Sequence, residues 1–240
     1  MLHRMSPWIR MLGPLAVALV TSVPATSPAG VLLAQTAAPD SGVFIIRHAG
    51  DTVATERFVR TATTLNGTLA IRGGNGSLEG YEAVVAPDAS VAMIEVTVRQ
   101  AKDSAVAGAA TGRPGGRVVQ RARVIFKEDS AAVDDVGSRG LQTRVFGTER
   151  GAVPYLNLSF ALLEQAVRRA RAVSPEATRV AFFNLGGGQT LEAKVARVGA
   201  DSVTLALGNV EFRLRVDSAG RVLGGAIPSQ QLVADRVGGS

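Results

Sequence analysis

The residues best suited to chemistry in this chain fall in three short stretches. His48 follows Arg47 at the end of the apolar run Val43–Ile46 and, His3 aside, is the chain's one histidine. It is therefore the only imidazole that could activate a hydroxyl nucleophile, and no Ser has the Gly-x-Ser-x-Gly context of a hydrolase elbow. Glu128, Asp129, Asp134 and Asp135 offer the oxygen ligands that a hard cation such as calcium takes, but their spacing matches no EF-hand loop. Gly186-Gly187-Gly188-Gln189-Thr190 has the glycine content of a phosphate-cradling loop. Such a loop needs a Lys directly before its Ser or Thr, and Gln189 stands in that place. Paired carboxylates of the glycosidase kind meet only in space and leave no trace in spacing. The chain has no cysteine, which removes disulfides, thiolate metal sites and thiol catalysis together. The expectation is a protein with no catalytic set, no cofactor and no metal.

Arg47-His48-Ala49-Gly50, entered from an apolar strand, resembles the Arg-His-Gly signature that opens the histidine phosphatases (phosphoglycerate-mutase-like). That resemblance implies His48 as phosphate acceptor and Arg47 as phosphate clamp. It covers about four residues, Ala49 departs from the usual Gly, and the second histidine of that family is missing. The alternating strand–helix pattern of such a catalytic domain is missing as well. Arg and His facing solvent before a turn is the reading the rest of the sequence supports.

The elements around these stretches are strands. Ser41–Thr61 reads as a hairpin about Gly50-Asp51, and Leu65–Ile71 as a shorter apolar run. Leu78–Ala86 and Val91–Gln100 flank the turn Pro87-Asp88-Ala89-Ser90, and Arg117–Lys127 follows the Gly/Ala/Pro-rich stretch 102–116, read as a flexible loop. Leu141–Gly147 continues the pattern. Leu191–Val198, Val203–Leu207, Val210–Val216 and Arg221–Ile227 then form a meander, with Gly208-Asn209 as a two-residue hairpin loop. One segment differs. In Gly151–Pro175, Phe160, Leu163, Val167 and Ala170 fall on one stripe of a helix expected over about 157–173. Asn157 or Ser159 can cap it, and Arg168, Arg169 and Arg171 suit the negative end of its dipole. The fold class is mainly β: an antiparallel meander forming a curved sheet, half-barrel or barrel, with that amphipathic helix packed on it. It makes one domain over 41–237.

Residues 1–34 read as a secretory signal, with Arg4 and Arg10 before the apolar run Met11–Val20 and small residues near Ala34. Pro14, Pro24 and Pro28 interrupt the run before it reaches the length of a membrane span. No later segment is long and apolar enough to span, so the expected location is periplasmic or secreted. Removing 1–34 takes away two arginines and no acid, lowering the formal charge from +6 to +4. That mild excess, with few aromatics, argues against nucleic acid as a partner.

An antiparallel sheet with a single helix has apolar surface left to cover. The helix-on-half-barrel plan resembles that of periplasmic lipoprotein carriers, which hold acyl chains between a curved sheet and helices, although only one good helix is visible here. GVFIIRHAGDTVATERF and VDSAGRVLGGAIPSQQLVADRV are similar to the opening and closing segments of exported bacterial β proteins of unknown function. The expected function is thus a non-enzymatic exported binding protein for a lipid or other amphiphile, held between helix and sheet by Tyr155, Phe160, Leu163 and Val167, with Arg168 at an anionic headgroup. The alternative is a structural or assembly module of the cell envelope that binds an envelope protein through a strand edge or apolar patch.

Overall fold

In a computed structural model of the chain, residues 38–73, 76–100, 116–174 and 176–239 are described. The expected signal (1–34) and the expected loop (102–116, Gly116 apart) lie outside them. The strands are β1 (Asp40–His48), β2 (Asp51–Arg60), β3 (Thr64–Ile71), β4 (Ser77–Val85), β5 (Val91–Gln100), β6 (Arg117–Phe126), β7 (Ser130–Gly137), β8 (Gly140–Gly147) and β9 (Val153–Tyr155). After helix α1 (Phe160–Val173) come β10 (Ala177–Asn184), β11 (Thr190–Arg197), β12 (Ser202–Leu207), β13 (Val210–Val216), β14 (Val222–Ile227) and β15 (Leu232–Val237).

All fifteen strands belong to one curved sheet, in the order β8 back to β1, then β15 back to β9. Each strand pairs antiparallel with its neighbour except β9, which runs parallel to β10. Hairpins build both halves, and the β1–β15 pairing joins them. In the first hairpin Ala49 and Gly50 both take positive φ (49° and 94°), as a two-residue primed turn requires. The turn is therefore Ala49-Gly50, because Asp51 already pairs with His48. β7 was not expected as a strand. Its sequence, SAAVDDVG, is small and acidic, and its register is imposed by β6 and β8 on either side.

The sheet is not closed by hydrogen bonds between β8 and β9, but its ends approach. Phe183 on β10 meets Phe126 and Phe146 at centroid distances of 5.6 and 5.9 Å, and Thr190 Oγ1 donates to the Gly147 carbonyl at 3.1 Å. The expected phosphate-loop lookalike is the β10–β11 turn. Gly188 there has φ 72°, and a Cβ on it would sit 2.5 Å from the Phe146 ring. The glycine serves a close packing contact.

The inner face of the curl holds the core and α1. Phe44, Ile46, Ala54, Phe58, Leu65 and Ile94 point inwards, and Phe44 stacks on Phe58 and meets Phe160 of α1 (5.5 and 5.6 Å). Ser159 is the N-cap, its hydroxyl accepting from Leu162 N–H at 3.2 Å, and the helix starts at 160 because Leu158 holds a left-handed φ of 64°. A lid on an open sheet would bury one stripe. Here Phe160 to Val167 are buried without a break, because the sheet wraps around the first two turns.

Candidate functional site

The buried helix brings charge into the core, where each charge is costly unless an opposite charge or a hydrogen bond meets it. Glu164 is wholly buried, accepts three hydrogen bonds and lies in ion-pair contact with Arg60 as well. Arg168 Nε at 3.0 Å and Arg60 Nε at 3.3 Å reach one oxygen; Val222 N–H at 2.9 Å and Arg236 Nη1 at 3.3 Å reach the other. Arg236 also binds the Asp40 carboxylate and the Ser41 carbonyl and lies 4.9 Å over the Phe58 ring. Arg60 donates to Gln165 and to the Ala161 carbonyl, and burial lowers its pKa against the opposing pull of Glu164. Strands β2, β14 and β15 are thus tied to one helical residue.

A second buried carboxylate sits at the positive end of the same helix. Glu56 accepts from Tyr81 Oη (2.7 Å), Ser159 Oγ (2.5 Å) and Ala161 N–H (2.9 Å). Burial raises the pKa of Glu56 despite these bonds, and burial beside Glu56 raises that of Tyr81 well above its usual value. Every lone-pair direction of Glu56 that meets a donor is spent on the fold, so the group locks the helix start to β2 and β4.

The sequence-predicted binding residues lie around this network. Phe160, Leu163 and Val167 are core side chains with 0–3% exposure. Tyr155 is half-buried, edge-on to Phe182 at 5.8 Å, and burial raises its pKa. Arg168 is engaged by Glu164 and lies 3.6 Å from Asp40. The hollow beside the C-terminal half of α1, lined by Val167, Ala170 and Val203 among others, holds about 20 Å³, enough for roughly one water.

Space for a ligand lies on the opposite face. The outer surface of β15 and β1–β6 carries a groove of about 820 Å³. One row across seven strands forms its length: Val237, Val43, Arg57, Thr68, Gly80, Thr97 and Arg121, each paired with the next. Leu78, beside Arg99 on the same face, is 1% exposed although it stands outside the central core, and it floors the groove. Gly80 leaves a gap at the middle, where an added Cβ would meet nothing within 4 Å. Arg57, Arg99 and Arg121 line the groove and enter no ion pair among the described residues, whereas Glu95 across from them is 3.5 Å from Arg123. The alternation along β2, β5 and β6 puts these arginines on the outer face, and the curl of the sheet makes that face concave.

The remaining chemical candidates disperse. Arg47 bonds Asp235 at 3.0 Å on the outer face, and His48 ends β1 exposed at the turn. Asp134 and Asp135, being adjacent on a strand, face opposite sides, and Glu128 lies by Arg150 at 3.7 Å, so the four acids do not converge.

No family model and no curated protein matches the chain. Among solved structures it is similar to a DUF1089 family protein from Pseudomonas aeruginosa, with a TM-score of 0.51 and 12% identity over 75% of this chain and 91% of that one. It is also similar to a beta-barrel-like protein of the domain of unknown function DUF1849 from Brucella abortus, with a TM-score of 0.48 and 9% identity over 82% and 94%. The first likeness shows a shared bacterial β-sheet fold of unknown function. Neither is to a lipoprotein carrier.

Proposed function

We infer that this chain is a non-enzymatic, exported binding protein that takes an anionic amphiphile in the outer groove of its sheet. The observation that carries this reading is the groove itself. Its volume falls within the range of about 300–1,000 Å³ common to small-molecule sites. Its floor at Leu78 and its flank at Val43, Val59 and Val237 suit an apolar chain, and Arg57, Arg99 and Arg121 suit an anionic headgroup. The inner face is filled by α1, and Arg168 is already held by two carboxylates. The amphiphile expected between helix and sheet is therefore assigned to the outer face.

Gly80→Phe tests the assignment. The new ring would project into the groove, and since nothing lies within 4 Å of the added Cβ the fold should be untouched. A dansylated fatty acid should bind the native chain saturably, and at least about tenfold more weakly to Gly80→Phe at an unchanged melting temperature. Equal binding by both proteins, or none by the native chain, refutes the reading. The second reading, an assembly module, is favoured by one observation of its own, the outer edge of β8, with which no described strand pairs.

A further inference from the structure

The two ends of the sheet differ. β9 is three residues long with Val153 and Pro154 buried, whereas β8 spans eight residues and no described strand pairs with its outer side. A long, open edge with exposed apolar residues is a template for another strand, and soluble proteins usually blunt such edges with Lys, Pro or a bulge. β8, GLQTRVFG, has no Lys, no Pro and no register shift.

The hydrogen-bond phase of the edge is fixed. Thr148 N–H donates to Asp129 O on the β7 side, and the Gly147 carbonyl accepts from Thr190 on the open side. Antiparallel ladders alternate, so Leu141, Thr143 and Val145 turn their N–H and C=O groups outwards, while Gln142, Arg144 and Phe146 bond to β7. Thr190 at Gly147 sets the limit of what can pair.

We propose that β8 is the dimer interface of this protein, pairing antiparallel with β8 of a second copy about a twofold axis through Thr143. The outward residues all being odd-numbered, that register sets Leu141 against the partner's Val145, Thr143 against the partner's Thr143, and Val145 against the partner's Leu141. It forms about six interchain backbone bonds, two per facing pair. The side chains agree on both faces. On the inner face Arg144 meets the partner's Gln142, a donor against an acceptor, and no like charges stand opposite one another.

On the outer face, Ile125, Ala132 and Val145 form one cross-strand row, and Val136 and Leu141 a second. Four of these are among the exposed large hydrophobics: Val145 at 69%, Leu141 at 66%, Val136 at 47% and Ile125 at 36%. In the proposed register the first row runs directly into the partner's second row, Val145 onto the partner's Leu141 and then the partner's Val136. Apolar residues scattered on one copy become a continuous stripe across the axis, and this self-complementarity selects a second copy over a partner of other sequence. The inference is independent of the ligand groove.

The test uses the full mature chain in sedimentation equilibrium. The native protein should be dimeric at micromolar concentration. Thr143→Pro removes an outward N–H that β7 does not use, together with the exposed side-chain hydrogen bond from Thr143 Oγ1 to Asp134 (2.7 Å), so it should be monomeric with its fold retained. Leu141→Lys combined with Val145→Lys should also be monomeric by placing like charges on both copies, and serves if the proline variant does not fold. The chain contains no cysteine, so Thr143→Cys puts one thiol on each copy at the axis. The Cα separation of about 5.5 Å expected for a hydrogen-bonded pair lies within disulfide range. Mild oxidation should give a covalent dimer. A monomeric native chain, a dimer that survives both edge variants, or a Thr143→Cys dimer that does not cross-link would overturn the proposal.

Discussion

Replacing Glu164 by Ala should cost more than any other single change at the helix. The carboxylate is fully buried and faces Arg60 and Arg236, whose side chains are only 6% and 7% exposed. Without it, two guanidiniums remain in the core with no counter-charge apart from Asp40, and removing one member of a buried pair costs about 3–5 kcal/mol. Val222 N–H also loses its acceptor, worth about 1–3 kcal/mol for a buried donor. These terms overlap, so a loss of about 5 kcal/mol is expected, against about 5–15 kcal/mol for a whole domain. For a domain of this size that corresponds to a fall in melting temperature of about 10–20 °C. Arg168→Ala is the control. Its guanidinium touches the same carboxylate at 3.0 Å but is 28% exposed, and Glu164 keeps its other donors, so about 1 kcal/mol should be lost. Urea unfolding of both variants measures the difference. If Glu164→Ala comes within about 1 kcal/mol of Arg168→Ala, the helix is held by apolar packing alone and the account of the core given above is wrong.

Glu56 makes stability depend on pH with a definite sign. Burial raises its native pKa above the unfolded value of 4.5, so the native state binds more protons between the two values. Its stabilising contribution is complete below 4.5 and is lost as pH rises through the native pKa. Urea midpoints between about pH 4 and 8 should show this decline in the native chain and lack that part of it in Glu56→Gln; identical profiles would remove Glu56 as its source. Gly67→Ala should destabilise by about 1–3 kcal/mol, because the new Cβ would lie 2.2 Å from the Tyr81 ring, whose hydroxyl is held by Glu56. A Gly67→Ala melting curve that overlays the native one would show that Tyr81 can move.

Most strands were legible because each has one dry face. Val210, Phe212, Leu214 and Val216 alternate with Glu211, Arg213 and Arg215, and only Phe212, Leu214 and Val216 are buried. β7 was not legible, since Ala131 is its only fully buried residue and two adjacent acids break its alternation. The helix showed its stripe of Phe160, Leu163, Val167 and Ala170. That Glu164 and Gln165 are buried too could not be read from α1, because their partners lie 58 to 105 residues distant, Arg60, Val222 and Arg236 on strands and Ala89 in the β4–β5 turn. The site was hidden for the same reason. Arg57, Arg99 and Arg121 look like ordinary solvent-facing strand residues until the register sets them along one concave face.

The inner network and the outer groove are built on the same strands. Arg236 and Val237, Phe44 and Val43, and Phe58 and Arg57 are neighbours in sequence, so one of each pair faces the helix and the other lines the groove. No strand ladder joins β8 to β9 at the ends of the sheet, so its curvature in this region depends on what α1 holds inside: Arg60 of β2, Arg236 of β15 and Val222 of β14 on one carboxylate. A change that loosens this tie must also flatten the outer surface that makes the groove. Stability and amphiphile binding should therefore fall together in Glu164→Ala and separate in Gly80→Phe. A groove that kept its affinity in a destabilised Glu164→Ala protein would owe its shape to the strands alone.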